Sequence, residues 1–97
     1  MKFRFHPEAR AEYLSAAKFY HQRQPGVEVR FIEAIEEAIR KVVASPHRWR
    51  VLEGDVRRCL ARVFPYAILY AIEGEEIIII AVAHGSREPG YWHNRRE

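Results

Sequence analysis

The stretch RRCLARVFPYAILYAIEGEEIIIIAVAH, residues 57–84, decides the fold. Two runs rich in Ile, Val, Ala and Tyr, 66–72 and 77–83, flank Glu73-Gly74-Glu75-Glu76. Long apolar runs split by a short Gly-containing turn read as a β-hairpin. The run 57–64 precedes them and stops at Pro65, a residue that a sheet accepts only at a strand start, an edge or a turn. Three strands with short connections make an antiparallel meander. Residues 77–83 are apolar at successive positions, as expected of a central strand covered on both faces. On the first meander strand, alternation predicts Arg58, Leu60, Arg62 and Phe64 on one side and Cys59, Ala61 and Val63 on the other. The mixed Arg/apolar side is a candidate binding face.

Outward from the meander, the chain supplies one more strand and two helices. Residues 2–5 alternate polar and apolar, with Phe3 and Phe5 on one side, and read as a short strand. His6-Pro7-Glu8 opens a helix, with Pro at the first helical position and Glu8 at the positive end of the dipole. Ala9, Tyr13, Ala16, Ala17 and Tyr20 form its inner face, and Gln24-Pro25-Gly26 ends it. A second helix is expected over 27–44, returning antiparallel, with Phe31, Ile35, Ala38, Ile39 and Val42 as its apolar stripe. Glu36–Arg40 and Glu37–Lys41 have the spacing of surface ion pairs. Ser45-Pro46 stops the helix. Residues 47–56 read as a connector that tucks Trp49, Val51 and Leu52 under the helices, with Glu53-Gly54-Asp55 as the turn into the meander. The expected fold class is α+β, in the order β-α-α-β-β-β, with the helical hairpin packed on one face of a mostly antiparallel sheet.

The totals agree with one domain spanning residues 1–97. At 97 residues and 48% hydrophobic content the chain holds enough apolar side chains for one modest core. Its single cysteine excludes an intrachain disulfide. No apolar run approaches the roughly 18–20 residues of a membrane span, and the N-terminus lacks the order of a signal peptide, so a soluble, cytoplasmic protein is expected. Sixteen basic against 13 acidic residues give a net charge of +3, which permits an anionic partner without demanding one. The positive charge is patchy. Arg48, Arg50, Arg57, Arg58 and Arg62 cluster before and on the first meander strand, Arg87, Arg95 and Arg96 mark the tail, and residues 63–83 carry no basic side chain.

Several residues occur in an order that resembles a known family. They are His6-Pro7-Glu8-Ala9, Phe19-Tyr20, Arg30-Phe31, Ser45-Pro46, Arg57-Arg58, Phe64-Pro65-Tyr66-Ala67-Ile68, and His84-Gly85-Ser86-Arg87-Glu88-Pro89-Gly90-Tyr91-Trp92. Together they resemble the RelE/ParE superfamily of type II toxin–antitoxin toxins, and its ParE-like branch most closely, over essentially the whole chain. The resemblance implies a small toxin neutralised by a cognate antitoxin whose C-terminal segment wraps it. It also implies one of two targets: DNA gyrase, bound and poisoned by a toxin that is not an enzyme, or mRNA on the ribosome, cleaved by an endonuclease. A non-toxic remnant that only binds its antitoxin is a third possibility.

Metal-free RNA cleavage requires a base, an acid and cations at the phosphorane. The resemblance places an arginine of the nucleases where this chain has Ala67. It leaves His84, Arg87 and Tyr91 as the catalytic set of the alternative reading. His84 ends a strand, where it can act as acid or base or can fix the turn by bonding tail backbone. Arg87 can face a partner or pair with Glu88 or a helix carboxylate. Tyr91 and Trp92 can pin the tail, or can serve as the aromatic anchors typical of interfaces. The expected partner-binding residues are Arg58, Arg62, Arg87, Tyr91 and Trp92. The histidines show no metal-ligand spacing with one another or with Cys59, and neither a cofactor nor direct DNA binding is expected.

Overall fold

A computed structural model describes residues 1–96; Glu97, the last residue of the tail, lies outside them. The elements are β1 (Lys2–Phe5), α1 (Pro7–Arg23), α2 (Val27–Ala44), β2 (Arg50–Glu53), β3 (Val56–Leu60), β4 (Tyr66–Glu73) and β5 (Glu76–His84), followed by a 3₁₀ turn, His93–Arg96. They form one five-stranded sheet in the order β1-β5-β4-β3-β2. Every pairing is antiparallel except that of β1 with β5. This is the expected α+β architecture, with the helical hairpin on one face.

Local chemistry explains the helix boundaries. The His6 ring accepts the Glu8 N–H at Nδ1 (3.1 Å), satisfying a donor that the first helical turn leaves free, and Pro7 loses nothing by lacking its own. In α2 the buried set is Phe31, Ile35, Ala38, Ile39 and Val42, the stripe read from the spacing. Glu37 meets Lys41 at 3.4 Å. Glu36 instead accepts the Tyr13 hydroxyl at 2.8 Å, tying α2 to α1 rather than to Arg40.

The helix-side core packs Phe31, Ile35, Ile39 and Val42 against Cys59, Ile68, Tyr70, Ile77, Ile79 and Val82. The opposite face carries a second cluster: Val56, Ala67, Leu69, Ala71, Ile78, Ile80 and Ala81 under Trp92. A bulge reconciles these faces. Tyr70 pairs with Ile79 and Leu69 with Ala81, so Ile80 is the extra residue, and both Ile80 and Ala81 face away from the helices.

Two stretches depart from the sequence reading. The connector contains β2, an edge strand whose four residues are all exposed, so Val51 and Leu52 are not tucked beneath the helices. Trp49 does pack against the helix-side core. The run 57–64 is a strand only as far as Leu60. Beyond it, the Ala61 amide bonds to Tyr66 O (2.9 Å) and the Phe64 amide to Arg62 O (2.7 Å), folding 61–65 into a loop. The second bond closes a γ-turn centred on Val63, the one described non-Gly residue with positive φ (70°). A β-branched residue held there costs about 1–3 kcal/mol.

Candidate partner-binding face

On the sheet face away from the helices, small side chains leave a depression. Ala67 pairs with Leu60 on one side and Ala83 on the other, and with Leu69 they floor an apolar groove of about 490 Å³. The Phe64-Pro65 corner closes one wall, and Pro89, Tyr91 and Trp92 of the tail close the other. Arg58 and Arg87 stand at the lining. Arg50 lies directly opposite Arg58 in the β2–β3 register. Neither Arg50 nor Arg58 has a carboxylate partner among the described residues. Glu53 and Glu88 also line the groove, so it is apolar in its floor and carries both signs of charge at its margins, with Arg58 the lining arginine that lacks a carboxylate partner among the described residues.

The tail wall is fastened at the sheet edge. β1 stops where His6 N donates to Ile79 O (2.8 Å), leaving β5 uncovered beyond the bulge. Glu12 of α1 accepts the Val82 amide at 3.0 Å, while Arg95 donates to Ile80 O at 3.0 Å. Arg95 also grips Glu12 in a two-point bond of 2.9 and 3.0 Å, with side chains only 7% and 17% exposed. The Tyr91 hydroxyl donates to Glu12 at 2.7 Å, and the guanidinium groups of Arg87 (3.7 Å) and Arg95 (5.1 Å) both stand over its ring. Burial, reinforced by the bond to Glu12, pushes the Tyr91 phenol well above the ordinary tyrosine value. It is held as a proton donor to Glu12.

His84, at the end of β5, accepts the Ser86 amide at Nδ1 (2.9 Å), and the Ser86 hydroxyl lies 2.7 Å from the same atom. The ring edge packs on Tyr66 at 5.0 Å between centroids. This arrangement fixes the turn into the tail. Arg87 lies 3.9 Å from Glu12 and 3.7 Å from Glu88, so both carboxylates hold its free end loosely. Trp92 is buried, with one edge at the groove.

The candidate residues thus divide. Arg58, Arg87, Tyr91, Trp92 and His84 gather around the groove. Arg62 does not share the face of Arg58, because the strand ends at Leu60 and the loop carries Arg62 to the side of α2, 3.7 Å from Glu37. Phe64 likewise turns toward the helices and packs on Tyr20 and Phe31. Sequence reasoning passed over Glu12 and Arg95. Glu12 lies beside the apolar stripe of α1, where a carboxylate reads as surface, and Arg95 sits in a tail without periodicity. Their pairing spans 83 residues and has no local signal. Among the described residues no group of His, Cys, Asp and Glu is arranged to hold a metal, and no helix is long and apolar enough to cross a membrane.

A family model described as the ParE toxin of the type II toxin–antitoxin system parDE matches residues 3–89. Among solved structures, a chain of the "Chromosomal ParDE TA system from P. aeruginosa" superposes with a TM-score of 0.75. The superposition covers 87% of this chain and 95% of that one, at 19% identity, a likeness of fold. No curated protein matches the sequence significantly.

Proposed function

This chain belongs to the ParE toxin family of type II toxin–antitoxin systems, and from that premise we propose that it acts by binding, poisoning DNA gyrase, and is silenced when an antitoxin segment fills the sheet groove. The observation that carries this reading is the buried methyl group of Ala67 at the groove floor, between Leu60 and Ala83. A phosphorane needs fixed positive charge close to the reacting atoms. An apolar floor with charged groups only at its margins, the unpaired Arg58 among them, favours a different ligand, an apolar peptide segment with a carboxylate for Arg58. The neighbouring side chains favour binding too. Tyr91 is committed to Glu12, and His84 Nδ1 to Ser86. In this mechanism the bound toxin traps gyrase in its cleaved-DNA state, so double-strand breaks accumulate and replication stops.

The test is the state of a reporter plasmid recovered from bacteria soon after the lone protein is induced. Linear, protein-linked plasmid is the expected result. Intact, normally supercoiled plasmid from cells that nonetheless stop growing would overturn gyrase poisoning and point to mRNA cleavage through His84, Arg87 and Tyr91. Intact plasmid from cells that keep growing would leave a binding module without a poison.

A further inference from the structure

Val63 stands out on two independent counts. It is 93% exposed, more than any other large hydrophobic side chain described, and it occupies the left-handed region that β-branched residues avoid. Elsewhere in the described chain every residue with positive φ is a glycine: Gly26, Gly54, Gly74 and Gly90. Glycine would fit position 63 without strain, and the fold gains almost no burial from a valine there. An apolar side chain that the folded monomer both strains and leaves in water has its use outside the monomer.

The surroundings hold that side chain out rigidly. Phe64 is clamped edge-on to Tyr20 at 5.0 Å and Phe31 at 5.5 Å, and the loop ends are joined by the Ala61–Tyr66 bond. Beside the tip, Val27, Ala34 and Phe64 line a shallow depression against α2, on the other side of the loop from the groove. Arg62, 70% exposed, reaches its nearest carboxylate, Glu37, only at 3.7 Å, and Glu37 already meets Lys41. Arg30 and Glu33 also border this patch.

We propose that the 61–65 loop is the docking element for the toxin's protein target, with Val63 entering an apolar pocket on that target and Arg62 and Arg30 facing carboxylates at its rim. The proposal rests on the reading of the chain as a binding toxin and places target contact on a different surface from the antitoxin groove. Pre-organisation is its physical advantage. A tip already locked in the bound conformation loses little entropy on docking.

The experiment compares wild type with Val63→Gly and Val63→Asn, both residues that tolerate left-handed backbone. Each is induced without antitoxin at matched soluble levels, and each is melted as purified protein. Both variants are expected to melt at or above the wild-type temperature. Half-maximal growth arrest is expected to need about tenfold more of either variant, the effect of removing one interface anchor. Arrest at wild-type strength would overturn the proposal, as would melting well below wild type, which would make the side chain structural. If the variants arrest growth normally but no longer co-purify with the antitoxin encoded beside the toxin, the tip belongs to the antitoxin. If the wild type sediments as a dimer and the variants as monomers, it is a self-association contact. Either outcome overturns target docking. Absence of arrest by the wild type would overturn the toxin reading itself, and this inference with it.

Discussion

Glu12 gathers at one carboxylate the needs of three elements. It accepts the amide that β5 leaves open at Val82, the phenol of Tyr91 and both terminal nitrogens of Arg95. Arg95, almost wholly buried, has its Nε 3.9 Å from Glu8 and otherwise depends on Glu12 for neutralisation. Breaking a buried pair from one side strands the other charge. Glu12→Ala is therefore expected to cost about 3–5 kcal/mol, read as a lowered urea midpoint. Tyr91→Phe removes one bond to the same carboxylate and should cost less, about 1.5–3 kcal/mol. If both substitutions cost under 1 kcal/mol (roughly the range of an exposed pair), the cluster is more hydrated than its geometry indicates.

At the scale of elements, the β2–β3 hairpin contains a cost with no return inside the fold. Arg50 and Arg58 are directly opposed, and like charges in that position destabilise a sheet. Arg50→Thr should raise unfolding stability by about 0.2–1 kcal/mol in urea. The same change should weaken capture of the antitoxin, because it removes positive charge beside the groove; unchanged capture would exclude Arg50 from the interface. The existence of β2 also marks the limit of sequence legibility. Four exposed residues have no amphipathic pattern, and Arg50–Glu53 become a strand only through pairing with β3. By contrast α2, β4 and β5 were legible because each buries a long, regular apolar set. The bulge at Ile80 was hidden by the same richness, since in a run of isoleucines no polar residue marks a change of face. Arg58 and Arg87 were readable as groove residues, whereas Arg62 was misplaced by assuming that the strand continued to Phe64.

Helices, sheet and tail are stacked in the whole molecule, and hydrogen-bonded tyrosines join its elements both within and between these layers. Tyr13 joins α1 to α2 through Glu36, Tyr70 reaches from β4 to Pro46 O at 2.6 Å, and Tyr91 binds the tail to α1 through Glu12. The tail is tied again at its far end, where Arg96 meets Asp55 at 2.6 Å and also pairs with Glu73. Burial, aided for Tyr13 and Tyr91 by a carboxylate acceptor, raises all three phenols above the usual value near 10, and Tyr70 is pushed up to about 12. Below pH of about 10 the folded and unfolded chains both keep these protons, so the stabilisation is intact. As pH rises further, the unfolded chain releases them first and binds fewer protons than the native state. Stability must then fall with pH, and the Tyr70 contribution is lost by about pH 12. Because the three groups sit at separate junctions of one cooperative unit, their ionisation should arrive together with unfolding. Tyrosinate absorbance and far-ultraviolet circular dichroism, titrated on one sample, should stay near their neutral values past pH of about 10 and then change in a single step. Tyr20 and Tyr66, which share intermediate burial with Tyr13 and Tyr91 but have no carboxylate acceptor, are also raised by burial and should add only a shallow absorbance slope before that step. Full tyrosine ionisation centred near pH of about 10 with the dichroism unchanged would mean that these phenols are open to water, and the layers would then have to be held by the apolar clusters and the ion pairs of the tail.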